Sequence, residues 1–225
     1  MAETVFTDMS ATQNRVLRNT YWLLALSLLP TIAGAWAGVA FGFSALLIGS
    51  PILSFVLFLA VAFGFIFAIN ATKDSALGVP ILLAFTFFMG LIMSPLIGTV
   101  LGMKNGVSLV SLAAGGTALI FAVMAIVSST LKRDISGWGK YLTIGVVCLI
   151  VAMLANMWFK LPLFALIISV IAVVIFSAFL LYDLKRIVDG GETNYVMATL
   201  AIYLDLVNIF QNLLAVLGLT AGNDD

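Results

Sequence analysis

The sequence predicts an all-α integral membrane protein with seven transmembrane helices. Of 225 residues, 63% are hydrophobic and 9% are charged, against about 45–50% and about 25% in an ordinary soluble domain. Mean hydropathy is +1.22. The apolar residues fall in seven windows close to the roughly 20 residues a helix needs to cross the hydrocarbon, with polar or Gly/Pro punctuation between them.

The windows are residues 21–42, 46–69, 77–101, 107–130, 138–158, 161–182 and 195–218. Residues 1–19 carry Glu3, Asp8, Gln13, Asn14, Arg15 and Arg18 ahead of the first apolar run at Tyr21. They lack the short apolar core and small-residue cleavage site of a signal peptide, so they are expected to form an exposed cytoplasmic tail. Gly49-Ser50-Pro51 marks the start of the second helix. Asn70 to Asp74, Gly102 to Gly106, Lys132-Arg133-Asp134 and Lys160-Leu161-Pro162 mark the next four turns. The longest polar connection runs from Lys185 to Asn194. The expected organisation is a tail over 1–19, one membrane domain over 20–219 and a short tail over 220–225.

Basic residues flanking the helices set orientation. With the N-terminus inside, the cytoplasmic segments hold Arg15, Arg18, Lys73, Lys132, Arg133, Lys140, Lys185 and Arg186, and the opposite side holds Lys104 and Lys160. Eight against two places the N-terminus in the cytoplasm and, after seven crossings, the C-terminus outside. Trp22, Trp138 and Trp158 lie near predicted helix ends, where interfacial aromatics anchor.

Composition also excludes functions. Formal net charge is zero, which offers no basic surface for nucleic acid. The chain has no histidine, which removes Ser-His-Asp triads, histidine metal sites and the usual proton shuttle. Cys148 is the single cysteine and reads as a small packing residue. No cofactor is implied.

Two carboxylates stand out. Asp205 lies within the last apolar window and Asp183 closes the one before it. A charge at bilayer depth costs from about 2.5–3.5 to on the order of 10 kcal/mol, so an ionisable residue there is a functional candidate. Ala201, Asp205, Asn208, Asn212 and Ala215 recur at spacings of four and three and share one helix face. Such a stripe must face protein or water, because amides and carboxyls are unsatisfied in hydrocarbon. Asn208 and Asn212 read alone are interhelical glue, but glue needs no carboxylate. Asp183, read alone, is a helix-end residue reaching interfacial water or a nearby cation such as Lys185 or Arg186. Together the two aspartates form a candidate dyad that cannot ionise twice cheaply and titrates as a unit. Losing its shared proton leaves repelling charges, or an oxygen-rich site for Ca²⁺. Smaller features have bland readings: Met93-Ser94-Pro95 as a packing kink, Gly115-Gly116-Thr117 as a close helix approach, and Asn156 as an interfacial amide.

The sequence resembles the Bax inhibitor-1, or transmembrane Bax-inhibitor-motif, family. The resemblance rests on Tyr182-Asp183-Leu184, on the run from Ile202 to Phe210, and on Gly90 through Pro95, within a pattern from about Val16 to Gly218. Gly190-Gly191-Glu192-Thr193-Asn194-Tyr195 resembles the proteobacterial branch, whose members include a modulator of the membrane-anchored AAA+ protease. The resemblance implies seven helices with the last central and six packed around it. It further implies a proton-sensitive calcium leak in which Asp183 and Asp205 are the pH sensor. Some members place an arginine near the end of the second helix as a partner of the pair. Here Lys73 stands in that region, a charge without a bidentate fork.

Two functions follow as expectations, neither of them enzymatic. The first is a pH-sensitive calcium leak of the bacterial inner membrane gated by Asp183 and Asp205, with Asn208 and Asn212 as pore lining or as the polar stripe of a central helix, and Ca²⁺ and protons as partners. The alternative is a regulatory binding partner of a membrane-anchored AAA+ protease, without transport, using the polar tail as a handle. An intramembrane aspartyl protease is disfavoured, because Asp205 follows Ile202-Tyr203-Leu204 and not a Gly-x-Gly. A zinc enzyme lacks ligands.

Overall fold

The computed structural model describes the backbone of residues 2–43 and 51–222 and the side chains of residues 13–43 and 53–222. Over these residues run seven helices: α1 (Ala2–Ala40), α2 (Pro51–Thr72), α3 (Gly78–Leu101), α4 (Gly106–Thr130), α5 (Trp138–Phe159), α6 (Pro162–Val188) and α7 (Tyr195–Ala221). Each holds a stretch long and apolar enough to cross a membrane. The start of the second window, with Gly49 and Ser50, lies outside the described residues, as do Asp224 and Asp225.

Two helices differ from their windows. The backbone of α1 is helical back to Ala2, far ahead of the window's start at residue 21, so Trp22 sits well inside the helix. Its ring is nonetheless exposed, as are Trp138 and Trp158 at the two ends of α5. The other is α6, which runs on to Val188 instead of stopping at Tyr182. Leu180, Leu184 and Ile187 are buried at spacings of four and three, so one core-facing stripe continues past Asp183 and carries the helix with it.

The chain divides into two compact units, Met1–Thr99 with Glu192–Leu200, and Val100–Gly191 with Ala201–Asp225. In the first, α1 and α3 meet along a seam of small residues. A Cβ on Gly34 would sit 2.1 Å from the Phe87 carbonyl oxygen, one on Gly90 2.1 Å from that of Thr31, and one on Gly38 2.2 Å from Ser94 Oγ. Gly34-x-x-x-Gly38 therefore faces Gly90-x-x-x-Ser94, the small-residue spacing that lets membrane helices approach closely. Pro95 cannot donate to the Leu91 carbonyl, and Ser94 Oγ donates to that carbonyl instead, at 2.7 Å. The proline is thus housed inside a continuous α3. Against the same helix, α2 stacks Phe65, its ring 5.7 Å from those of Phe85 and Phe88.

In the second unit α6 packs against both α4 and α5. Leu149 of α5 forms a core with Ile168 and Ala172 of α6. Gly116 admits Leu213 of α7, whose Cδ1 would lie 3.3 Å from an added Cβ, whereas Gly115 faces open space. The close approach expected at this glycine pair therefore belongs to Gly116 alone.

Candidate functional site

Asp183 sits in the last third of α6, half-buried, beside the buried Leu184. The final turn of α6 carries Lys185 and Arg186, the sign of charge that a helix C-terminus favours. Lys185 pairs with Asp189 one turn on, and Arg186 Nε donates to the Gly191 carbonyl at 3.4 Å. Asp183 meets Asp205 of α7 across the two helices, close enough for the two carboxyl groups to act on each other through charge and hydrogen bonding. A carboxylate is acceptor-only, so a hydrogen bond between two carboxyl groups needs one of them to carry a proton as donor. Contact between these two residues, which lie 22 positions apart by number, is a matter of helix packing.

Asp205 is 5% exposed. No residue of α7 from Tyr195 to Leu219 is exposed, so the polar stripe is enclosed as its chemistry requires. The Oδ2 atom of Asp205 is buried without a hydrogen-bond partner. Asn212, one face further along, is buried, and Asn208 is half-buried. Their amides turn inward on their own helix: Asn208 Nδ2 donates to the Leu204 carbonyl and Asn212 Nδ2 to that of Asn208, both at 2.8 Å. These bonds hold side chains along α7 and are not bridges to another helix.

The Glu192-Thr193-Asn194 segment is an N-terminal cap. Glu192 Oε1 accepts from the backbone N–H groups of Thr193 and Asn194, both at 3.0 Å. Asn194 Oδ1 accepts from Val196 N at 2.9 Å and Met197 N at 3.1 Å, filling orphan donors of α7. The other end of the same side chain, Nδ2, donates to the Lys73 carbonyl at 3.1 Å and to Asp74 Oδ1 at 2.8 Å. Asn194 thereby ties the start of α7 to the turn between α2 and α3. Lys73, expected as a stand-in for the arginine, directs its Nζ to Asn70 Oδ1 at 3.2 Å. Asn156, read as an interfacial amide, closes the α5–α6 turn: its Oδ1 accepts from Leu161 N at 3.1 Å, next to Lys160 in the left-handed region at φ 52°.

These features define a helical membrane protein with two neighbouring carboxyl groups on its last two helices. The chain belongs to the Bax inhibitor-1 family: residues 13–222 match the family model described as inhibitor of apoptosis-promoting Bax1. The modulator of FtsH protease YccA of Escherichia coli K12 is 37% identical over 205 residues, which cover 91% of this chain and 90% of that one. Its counterpart in E. coli O6:H1, with the same identity and coverage, is named inner membrane protein YccA. An uncharacterized protein of Neisseria meningitidis serogroup A, NMA0420, is 35% identical over 221 residues, 97% of each chain.

Proposed function

We propose that this protein is a non-catalytic modulator of a membrane-anchored protease of the FtsH type, acting in the bacterial inner membrane with its N-terminus in the cytoplasm. The supporting observation is its likeness, over nine-tenths of both chains, to a protein named for that role. The bias of basic residues supports the orientation, and the polar segment 1–19 is the handle the protease would grip. Co-purification of the full chain with FtsH, together with degradation of an FtsH substrate, tests the reading. Wild-type protein is expected to bind and to slow degradation, and removal of residues 1–18 to abolish the protein's own turnover. Equal engagement and turnover of the truncated chain would remove the tail from the mechanism, and no binding by either would overturn the proposal.

The closeness of the Asp183 and Asp205 carboxyl groups favours a second reading, a pH-sensitive calcium leak. With its proton, the pair latches α6 to α7. Without it, two like charges adjoin and the helix ends separate, leaving carboxyl oxygens to meet a passing cation. Two carboxyl groups fall short of the 6–8 oxygens Ca²⁺ takes, which suits a transit point better than a storage site. In liposomes loaded with a calcium dye, flux is expected to depend on pH and to lose that dependence in Asp205→Asn. Flux that is absent, or indifferent to both pH and the substitution, would rule the leak out.

A further inference from the structure

Beyond the carboxyl pair, the turn between α4 and α5 and the end of α6 line a half-open cleft of about 350 Å³, inside the range of roughly 300–1,000 Å³ typical of small-molecule sites. Asp134, Ser136, Tyr182, Lys185, Arg186 and Asp189 are among its lining residues. The walls thus hold two cations and two carboxylates, with a phenol and a hydroxyl between them.

The construction is specific. Asp134 Oδ1 accepts from Ser136 N at 2.8 Å, which fixes the turn. That bond, then the Ser136 hydroxyl, and then the charge of Lys185 hold the Asp134 carboxyl below the usual carboxylate range, so it stays an anion. Lys185 is 12% exposed at its side chain and already shares its charge with Asp189. Gly139 makes room for the Tyr182 ring, whose hydroxyl would lie 2.9 Å from an added Cβ. Trp138, exposed at the first position of α5, is the kind of residue that settles at headgroup depth, and it lies four residues from Asp134.

A simple anion would meet the two cations here but also two carboxylates, and a simple cation would meet the reverse. A ligand that carries both signs a few ångströms apart opposes neither, and can exchange into the network that Lys185 already forms with Asp189. We propose that this cavity binds a phosphoethanolamine group, with the phosphate on Arg186 and Lys185 and the ammonium on Asp134 and Asp189. Arginine presents the planar fork suited to phosphate oxygens, and a primary ammonium has three N–H donors for carboxylates. At headgroup depth the source of that group is a phospholipid. A quaternary choline head keeps the charge but loses every donor, and a glycerol head loses the charge as well.

Native mass spectrometry of the full chain, exchanged into nanodiscs of phosphatidylethanolamine, phosphatidylcholine or phosphatidylglycerol, tests this. Wild-type protein is expected to retain phosphatidylethanolamine over the other two by on the order of tenfold, the weight of one good ionic contact. Arg186→Gln is expected to lose retention of every phospholipid. Asp134→Asn keeps the turn-forming acceptor and removes only the charge, so it is expected to shift preference toward phosphatidylglycerol. Soluble phosphoethanolamine, added to protein in phosphatidylcholine nanodiscs, separates the sources: no binding there assigns the site to the lipid. Binding as tight as that of phosphatidylethanolamine keeps the chemistry but reassigns the source to a soluble ligand. Equal retention of the three lipids by wild type, or retention unchanged in both variants with helicity intact, would overturn the proposal.

Discussion

Helices α5 and α7 are both long and apolar, yet they occupy opposite environments. In α5 a single residue, Leu149, is buried, and 6% of its most apolar window is enclosed. In α7 the share is 44%. The more enclosed helix is the less hydrophobic of the two, with a mean hydropathy of 1.7 against 2.2. In water the ordering would be reversed, because burial follows apolarity. In lipid the solvent is itself apolar, so polar groups are what must be hidden. Asp205, Asn208 and Asn212 lie on the more enclosed helix, whereas α5 buries Leu149 against Ile168 and Ala172 of α6 and leaves most of its surface exposed.

This contrast breaks most sharply where backbones touch. Gly90→Val would drive side-chain atoms into the Thr31 carbonyl, a group that cannot swing aside as a flexible side chain can. We expect a loss of about 4 kcal/mol or more, the exceptional end of single substitutions, seen as failure of the full chain to resist unfolding in mixed micelles. Gly115→Val, aimed into open space, should leave stability unchanged or slightly raised, since valine in place of glycine restricts the unfolded chain. Equal effects of the two would dissolve the distinction between an enclosed and a lipid-facing glycine.

A second pair tests the helices themselves. Leu214 of α7 is 0% exposed and Leu154 of α5 is 42% exposed. Leu214→Ala leaves a cavity in packed protein and is expected to cost about 2–5 kcal/mol. At position 154 lipid chains fill the space that the leucine vacates, so Leu154→Ala is expected to stay within about 0.5 kcal/mol. Comparable losses at both positions, measured in the same micelles, would mean that α5 has a protein partner on its outer face.

The same logic decides what could be read from the sequence. Seven helices were legible because each must present an apolar surface to lipid. The enclosure of α7 was legible from the three-four spacing of Asp205, Asn208 and Asn212. The end of α6 was not: Asp183 interrupts the apolar run, while the stripe through Leu184 and Ile187 continues beneath it. The Gly34–Gly90 seam gave no signal, because a glycine in an apolar helix barely alters hydropathy and only its neighbour reveals the fit. Asn194 stood at the end of a polar connection and Asn156 read as an interfacial amide, and most of their bonds run to backbone groups that no residue pattern marks. Contact between Asp183 and Asp205 depended on the angle and depth of two helices, which spacing along the chain does not fix.

The smallest effect concerns how α5 is tethered at its start. Asp134 in the preceding turn is fully exposed, and its carboxyl is held below the ordinary value, first by the Ser136 backbone N–H and second by the Ser136 hydroxyl. A folded-state value below the unfolded one means the unfolded chain binds the proton more readily. The contribution to stability is therefore present above the unfolded value of about 3.9 and lost as pH falls through the folded one. Solvent screening keeps it small. Asp134→Ala should destabilise the protein slightly at pH 7, and the gap from wild type should close as the pH is taken below 4. Asp134→Asn, which keeps the acceptor for Ser136, should fall between the two. A gap that stays constant through the acid range would show that Asp134 acts on the turn by shape alone and not by charge.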